Sequence, residues 1–156
     1  MFTLNLPQYP IKVAEQNGRK VVFDELRRKY VALTPEEWVR QHFVHYLVEH
    51  KGYPQGLVAN EISLNLNGTS KRCDTVVYDR NACPRAIVEY KAPHIEITQK
   101  VFSQISRYNM VLHVDFLIVS NGLRHYCCRM DYATNTCRFL PDIPDYKELC
   151  APEEMP

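Results

Sequence analysis

Two apolar runs in this sequence carry charges where strands facing a core would ordinarily carry none. In "CDTVVYDRNACPRAIVEYK", residues 73–91, Asp74 stands in the first run and Glu89 and Lys91 in the second. A hairpin turning over the four residues 80–83 sets Asp79 opposite Pro84, and by the same register Asp74 opposite Glu89 and Arg72 opposite Lys91. Glu89 and Lys91 are two apart and share a face, which Asp74 joins by cross-strand pairing. Like charges directly opposite are destabilising, and the flanking Val76, Val77, Ile87 and Val88 make the location partly buried, which worsens the repulsion. A hard divalent cation such as Mg²⁺, held by one or two carboxylates plus water and phosphate, offsets it. Lys91 is then placed to stabilise phosphate charge or to help deprotonate an attacking water, and the chemistry is hydrolysis of a phosphodiester. The plainer alternative has Lys91 salt-bridging both carboxylates at a strand end, and a two-residue slip in register dissolves the cluster altogether.

The elements that must position these residues are legible to different degrees. Residues 1–33 begin with a Pro-punctuated segment, and Asn17-Gly18 signals a turn between two short strands or a strand and a turn of helix. Thr34 as N-cap, Pro35 at the first helical position and Glu37 three residues after the cap predict a helix over 35–50, with Val39, Phe43, Tyr46 and Leu47 on one stripe and Gly52 and Pro54 as the stop. "LVANEISLNLN", residues 57–67, alternates with Ile62, Leu64 and Leu66 on one face and ends in the turn-like "NGTS"; "RCDTVVYD" and "RAIVEYKA" are two further strands. Ile97, Val101, Ile105, Tyr108 and Leu112 give a second amphipathic helix over about 96–112. "VDFLIVSNG" reads as a buried strand closed by Asn121-Gly122, with "LRHYCCRM" as its partner and "TCRFLPDI" as an edge strand. The Pro-rich acidic tail is expected to be poorly ordered.

This order is helix, three strands, helix, buried strand and hairpin extension, an α/β or α+β fold with a central mixed sheet flanked by helices. At 156 residues and 46% hydrophobic content, the chain suits one domain: an N-terminal extension over 1–33, a core over 34–122, a hairpin extension over 123–140 and an acidic tail over 141–156.

Composition narrows the function classes. Lys and Arg number 19 against 18 Asp and Glu, so any nucleic-acid contact relies on local clusters such as Arg27-Arg28-Lys29 and Lys71-Arg72. Six cysteines occur without a C-x-x-C pair or an export signal, which favours reduced thiols in a cytoplasm over disulfides or zinc. No apolar run approaches the roughly twenty residues that cross a bilayer.

Asp74, then fourteen residues, then Glu89-Tyr90-Lys91, on neighbouring strands after a helix, resembles the PD-(D/E)xK nuclease superfamily. With "TPEEWVRQ", "GYP", "VEYKAP", the Gln104/Tyr108 pair of "QISRYN" and "VSNG", residues 34–122 closely resemble the N-terminal nuclease domain of type I restriction enzyme R subunits. The resemblance implies a restriction-endonuclease-like core of α-β-β-β-α-β order. It also implies Asp74 and Glu89 as ligands of Mg²⁺, with Mn²⁺ able to substitute, and Lys91 as the catalytic lysine. Gln104 and Tyr108 would support the site or contact the DNA backbone, with Arg72 nearby. Many superfamily members add an acidic residue from the first helix. Glu37 is the candidate here, although capping is its simpler role; Glu61 is a further acidic neighbour, or a merely exposed strand residue. Cys73 stands where the signature has proline.

The expected activity is a Mg²⁺-dependent DNA endonuclease. The R subunit's ATPase has no counterpart in a chain of this length without a G-x-x-x-x-G-K loop, so a free-standing relative is expected. Its partners would be DNA and the subunits of a restriction-like system, and a homodimer would cut both strands of a duplex most easily. Two alternatives stand beside it: a non-catalytic nucleic-acid- or protein-binding module, which the near-neutral charge suits, and a small-phosphate-ester hydrolase, which lacks a Gly-rich phosphate cradle.

Overall fold

The computed structural model describes residues 3–66 and 68–151, the side chains of Leu66 and Thr69 excepted. Asn17 and Gly18 both adopt positive φ, 52° and 75°, and so turn the chain tightly between β1 (Val13–Gln16) and β2 (Arg19–Asp24). A third strand that the sequence did not announce, β3 (Lys29–Ala32), pairs with the other side of β2 and completes a three-stranded antiparallel sheet.

Helix α1 (Pro35–His50) starts where its cap predicts: Thr34 Oγ1 accepts the Glu37 N–H at 3.0 Å. Val39, Phe43 and Leu47, at spacings of four, are fully buried against the main sheet. That sheet has six strands in the order β4 (Val58–Leu66), β5 (Thr69–Tyr78), β6 (Pro84–Tyr90), β7 (Phe116–Ser120), β8 (His125–Asp131) and β9 (Thr136–Phe139). Every pairing is antiparallel except that of β6 with β7, which is parallel and therefore needs a crossover. Helix α2 (Gln99–Met110) lies within that crossover and packs over the opposite face from α1. The result is a mixed α+β fold in which β7, buried at every residue, lies between β6 and β8.

Two expectations need correction. Helix α2 starts only after its cap Thr98, and it buries Phe102, Ser106 and Asn109; of the expected apolar stripe Ile105 packs against the same core, while Tyr108 is 63% exposed. Ile97 and Leu112 are buried from the flanking turns, outside the helix. The C-terminal segment, expected to be poorly ordered, packs against the core over its described part, residues 141–151. Ile143, Tyr146 and Leu149 are spaced three apart among acidic residues, and all three are buried in the α1-side core, the last two in the short helix α3 (Tyr146–Leu149). Tyr53 Oη donates to Pro144 O at 2.8 Å, and Arg85 Nε to Leu149 O at 2.9 Å. The rest of the tail, residues 152–156, and Asn67 of the expected "NGTS" turn lie outside the described residues.

Candidate active site

The hairpin that carries Asp74 and Glu89 has the expected register over its inner part. Thr75 faces Val88, Val76 faces Ile87 and Val77 faces Ala86. It arrives there differently, because Tyr78 rather than Asp79 faces Pro84 and a bulge between Val77 and Tyr78 absorbs the extra residue. Asp79 belongs to the turn, where its Oδ1 accepts the N–H groups of Asn81 and Cys83.

Beyond Thr75 the two strands part. The Asp74 carboxylate, instead of a backbone carbonyl, accepts the Tyr90 N–H at 2.9 Å. The Asp74 carbonyl in turn accepts from Arg40 Nη1 at 2.9 Å. On its other side β5 is paired with β4 at Asn60/Thr75 and again at Ile62/Cys73, but the Glu61/Asp74 step between them is skipped, and Glu61 sits at φ 56°. This interruption turns both strands over. Asn60 and Thr75 lie on the α1 side, bonded to each other and to Asp24 and Tyr90. Strict alternation would keep Ile62, Leu64, Lys71 and Cys73 there as well. Leu64 and Cys73 are instead buried in the α2-side cluster, Ile62 packs against it, and Lys71 reaches Glu89.

Lys71 Nζ stands 2.6 Å from Glu89 Oε1, with the two side chains 5% and 16% exposed, so this ion pair is largely buried. The same ammonium lies 4.7 Å from the ring centre of Tyr108. Burial first, and the neighbouring Asp74 carboxylate second, push Glu89 up to about 7 against the pull of Lys71. Lys91 is half-buried, donates its backbone N–H to Ser120 O at 2.9 Å, and makes no ion pair among the described residues. Of the two salt bridges that the plainer reading gave to Lys91, the one to Glu89 is made by Lys71.

The other acidic candidates are neutralised by arginine. Glu37 binds Arg40 (2.7 and 2.8 Å) and Arg27 (2.6 Å), so its carboxylate does not reach back to the Thr34 amide as a full capping box would require. Glu61 binds Arg40 and Arg72, each at 2.7 Å. Arg72 pairs with Ser63 of β4 rather than standing opposite Lys91. Asp24, almost fully buried, takes Arg27 and the Nδ2 of Asn60. The row Asp24, Arg27, Glu37, Arg40, Glu61, Arg72 alternates in sign throughout. Burial alone would raise its three carboxylates, but hydrogen bonds and charge from Arg40, Arg27, Arg72 and Asn60 outweigh it and hold all three below the usual range. Gln104 and Tyr108 are both exposed on α2, and only Tyr108 touches the site, through Lys71.

Among the described residues no three His, Cys, Asp or Glu gather as a metal cage. Asp74 and Glu89 nevertheless suit a hard cation that keeps several waters. They are two neighbouring carboxylates, one of them buried and raised by the other, and the single ammonium within hydrogen-bonding reach leaves negative charge unbalanced.

Residues 35–144 match the family described as type I restriction enzyme R protein N terminus, and the chain belongs to that family. Its fold is similar to the fragment structure described as that of an HsdR subunit of a type I restriction enzyme from Vibrio vulnificus YJ016, at a TM-score of 0.53 and 23% identity over 75% of this chain. The match covers 24% of that structure's chain, so the sequence spans about a quarter of its relative's length. No curated protein matches the sequence.

Two residues that sequence reasoning missed are Lys71 and Arg40. Lys71 stood out only as half of the basic cluster Lys71-Arg72; strict alternation sets it on the face opposite Asp74, and the turnover at Glu61/Asp74 is what brings it to Glu89. Arg40 had a local signal, since it lies three residues after Glu37 on the inward side of α1 between Val39 and Phe43.

Proposed function

We propose that this chain is a Mg²⁺-dependent DNA endonuclease domain of the PD-(D/E)xK kind, hydrolysing phosphodiester bonds. The observation that carries the reading is the break in the β-ladder at Asp74. It gathers the Asp74 and Glu89 carboxylates beside each other on one side of the sheet, with Lys91 two residues beyond Glu89. Membership of the R-protein N-terminus family supports it.

Asp74 and Glu89 would hold the cation, which when bound activates water and stabilises the leaving oxygen. The remaining roles belong to the chain itself. The Tyr90 N–H fixes the Asp74 carboxylate, and Arg40 fixes its carbonyl, so the ligand is oriented before any substrate arrives. Lys91, free of ion pairs among the described residues, has its ammonium available for phosphate charge. The exposed Gln104 and Tyr108 on α2 and Arg72 on β5 offer polar contacts to a nucleic-acid backbone. Purified protein should nick supercoiled plasmid or cut single-stranded DNA in Mg²⁺ or Mn²⁺ and lose that activity in EDTA. Equal background cleavage with and without metal would refute the assignment.

One observation favours a second reading. Glu89 already has a buried partner in Lys71, and a carboxylate held in an ion pair within the protein can serve a non-catalytic binding module. Calorimetry separates the two, since only the nuclease reading requires a divalent cation at Asp74 and Glu89.

A further inference from the structure

We infer that Lys71 is a resident counter-cation of the candidate site: its ammonium neutralises Glu89 in the metal-free protein and gives up that bond, keeping the exposed ring of Tyr108 as its partner, when a divalent cation takes the carboxylate. The inference rests on the nuclease reading above, from which its test is separable.

Three observations carry it. Lys71 Nζ lies 2.6 Å from Glu89 Oε1, beside the neighbouring Asp74 carboxylate, so a cation drawn to both carboxylates would compete with the ammonium for Glu89. Two positive centres drawn to one largely buried carboxylate repel, so they compete for it. The position is built rather than incidental, because the turnover at Glu61 and Asp74 brings Lys71 to this face when regular alternation would send it to the other. The ammonium also has a second partner. The Tyr108 ring, 63% exposed, lies 4.7 Å from it in the same position, so a cation–π contact remains when the flexible stem moves the ammonium off Glu89 toward solvent.

Titration with MnCl₂ alone, without DNA, tests this by calorimetry on wild type, Lys71→Met and Asp74→Ala. Lys71→Met keeps the stem and removes the charge, and it should bind Mn²⁺ about tenfold more tightly than wild type, or better; Asp74→Ala should bind none. If wild type binds and Lys71→Met binds no more tightly, the counter-cation role is overturned and the nuclease reading stands. If neither binds, both fall. A second measurement needs no variant: acetylation of wild-type Lys71, mapped by mass spectrometry, should speed up severalfold on adding Mn²⁺ while exposed Lys147 stays constant. An unchanged or slower rate at Lys71 would overturn the inference independently.

Discussion

Arg40 donates one N–H to the main-chain carbonyl of Asp74 at 2.9 Å while its other N–H groups hold Glu37 and Glu61. A residue of the first helix therefore fixes the strand position at which the sheet opens. Arg40→Met leaves two carboxylates without their shared partner and frees the Asp74 carbonyl. It should lower unfolding free energy by about 3–5 kcal/mol, as expected when one member of a buried charge network is removed. Urea unfolding of the purified variant measures this, and a loss below about 1 kcal/mol would mean that the network does not organise the site.

The same network sets the acid limit of stability. The folded values of Asp24, Glu37 and Glu61 lie below their unfolded ones, so in that window the native state binds fewer protons than the unfolded chain. Their contribution is fully present above the ordinary carboxylate range and is lost as pH falls through the lowered values. Glu89 has the opposite sign. Its raised value makes its contribution complete below the ordinary range and lost as pH rises toward about 7. Melting temperatures of the metal-free protein should therefore peak at mildly acidic pH. A curve still rising through neutrality would show that Glu89 is not raised.

Tyr90 serves two sides of the sheet with different atoms. Its backbone N–H holds Asp74, while its buried hydroxyl donates to Thr75 Oγ1 at 2.9 Å on the α1 side. Tyr90→Phe should therefore cost about 1 kcal/mol of stability, the usual worth of one buried hydrogen bond, and leave metal-dependent cleavage unchanged. Thermal melts and a cleavage time course check the two halves separately.

Gly122 has φ +85°, and a Cβ there would stand 2.7 Å from the Leu4 side chain. Its carbonyl accepts the Asn5 N–H at 2.8 Å, which ties the N-terminal segment to the β7–β8 turn. Gly122→Ala should destabilise by about 1–3 kcal/mol through the backbone conformation alone. It should also speed hydrogen exchange at the Asn5 amide more than at core amides such as Ile118.

How much of this was readable in the sequence depends on what each residue's neighbours do. The valine and isoleucine runs around Asp74 and Glu89 fixed strands and register well enough that a one-residue error in the turn was absorbed by a bulge. The α1 boundaries followed from Thr34, Pro35 and Gly52, whose preferences are local. The buried face of α2 was hidden because Ser106 and Asn109 are polar, and the packing of the tail because Ile143, Tyr146 and Leu149 are diluted by charge. Arg27 read only as part of a basic cluster and Glu61 as an acidic neighbour or an exposed strand residue, while Asp24 and Arg40 drew no reading; only tertiary proximity makes the four a network. The deepest omission was Lys71, since no period-two pattern predicts a strand that changes faces.

The most direct test is a time course of supercoiled-plasmid nicking in Mn²⁺ by wild type and Asp74→Ala, prepared side by side and shown to melt as folded proteins. Wild type should nick the plasmid, and Asp74→Ala should be slower by about a hundredfold or more, the loss expected when a metal ligand is removed from a hydrolytic site. Equal rates in the two proteins would contradict the assignment of Asp74 and Glu89 as the centre of a nuclease.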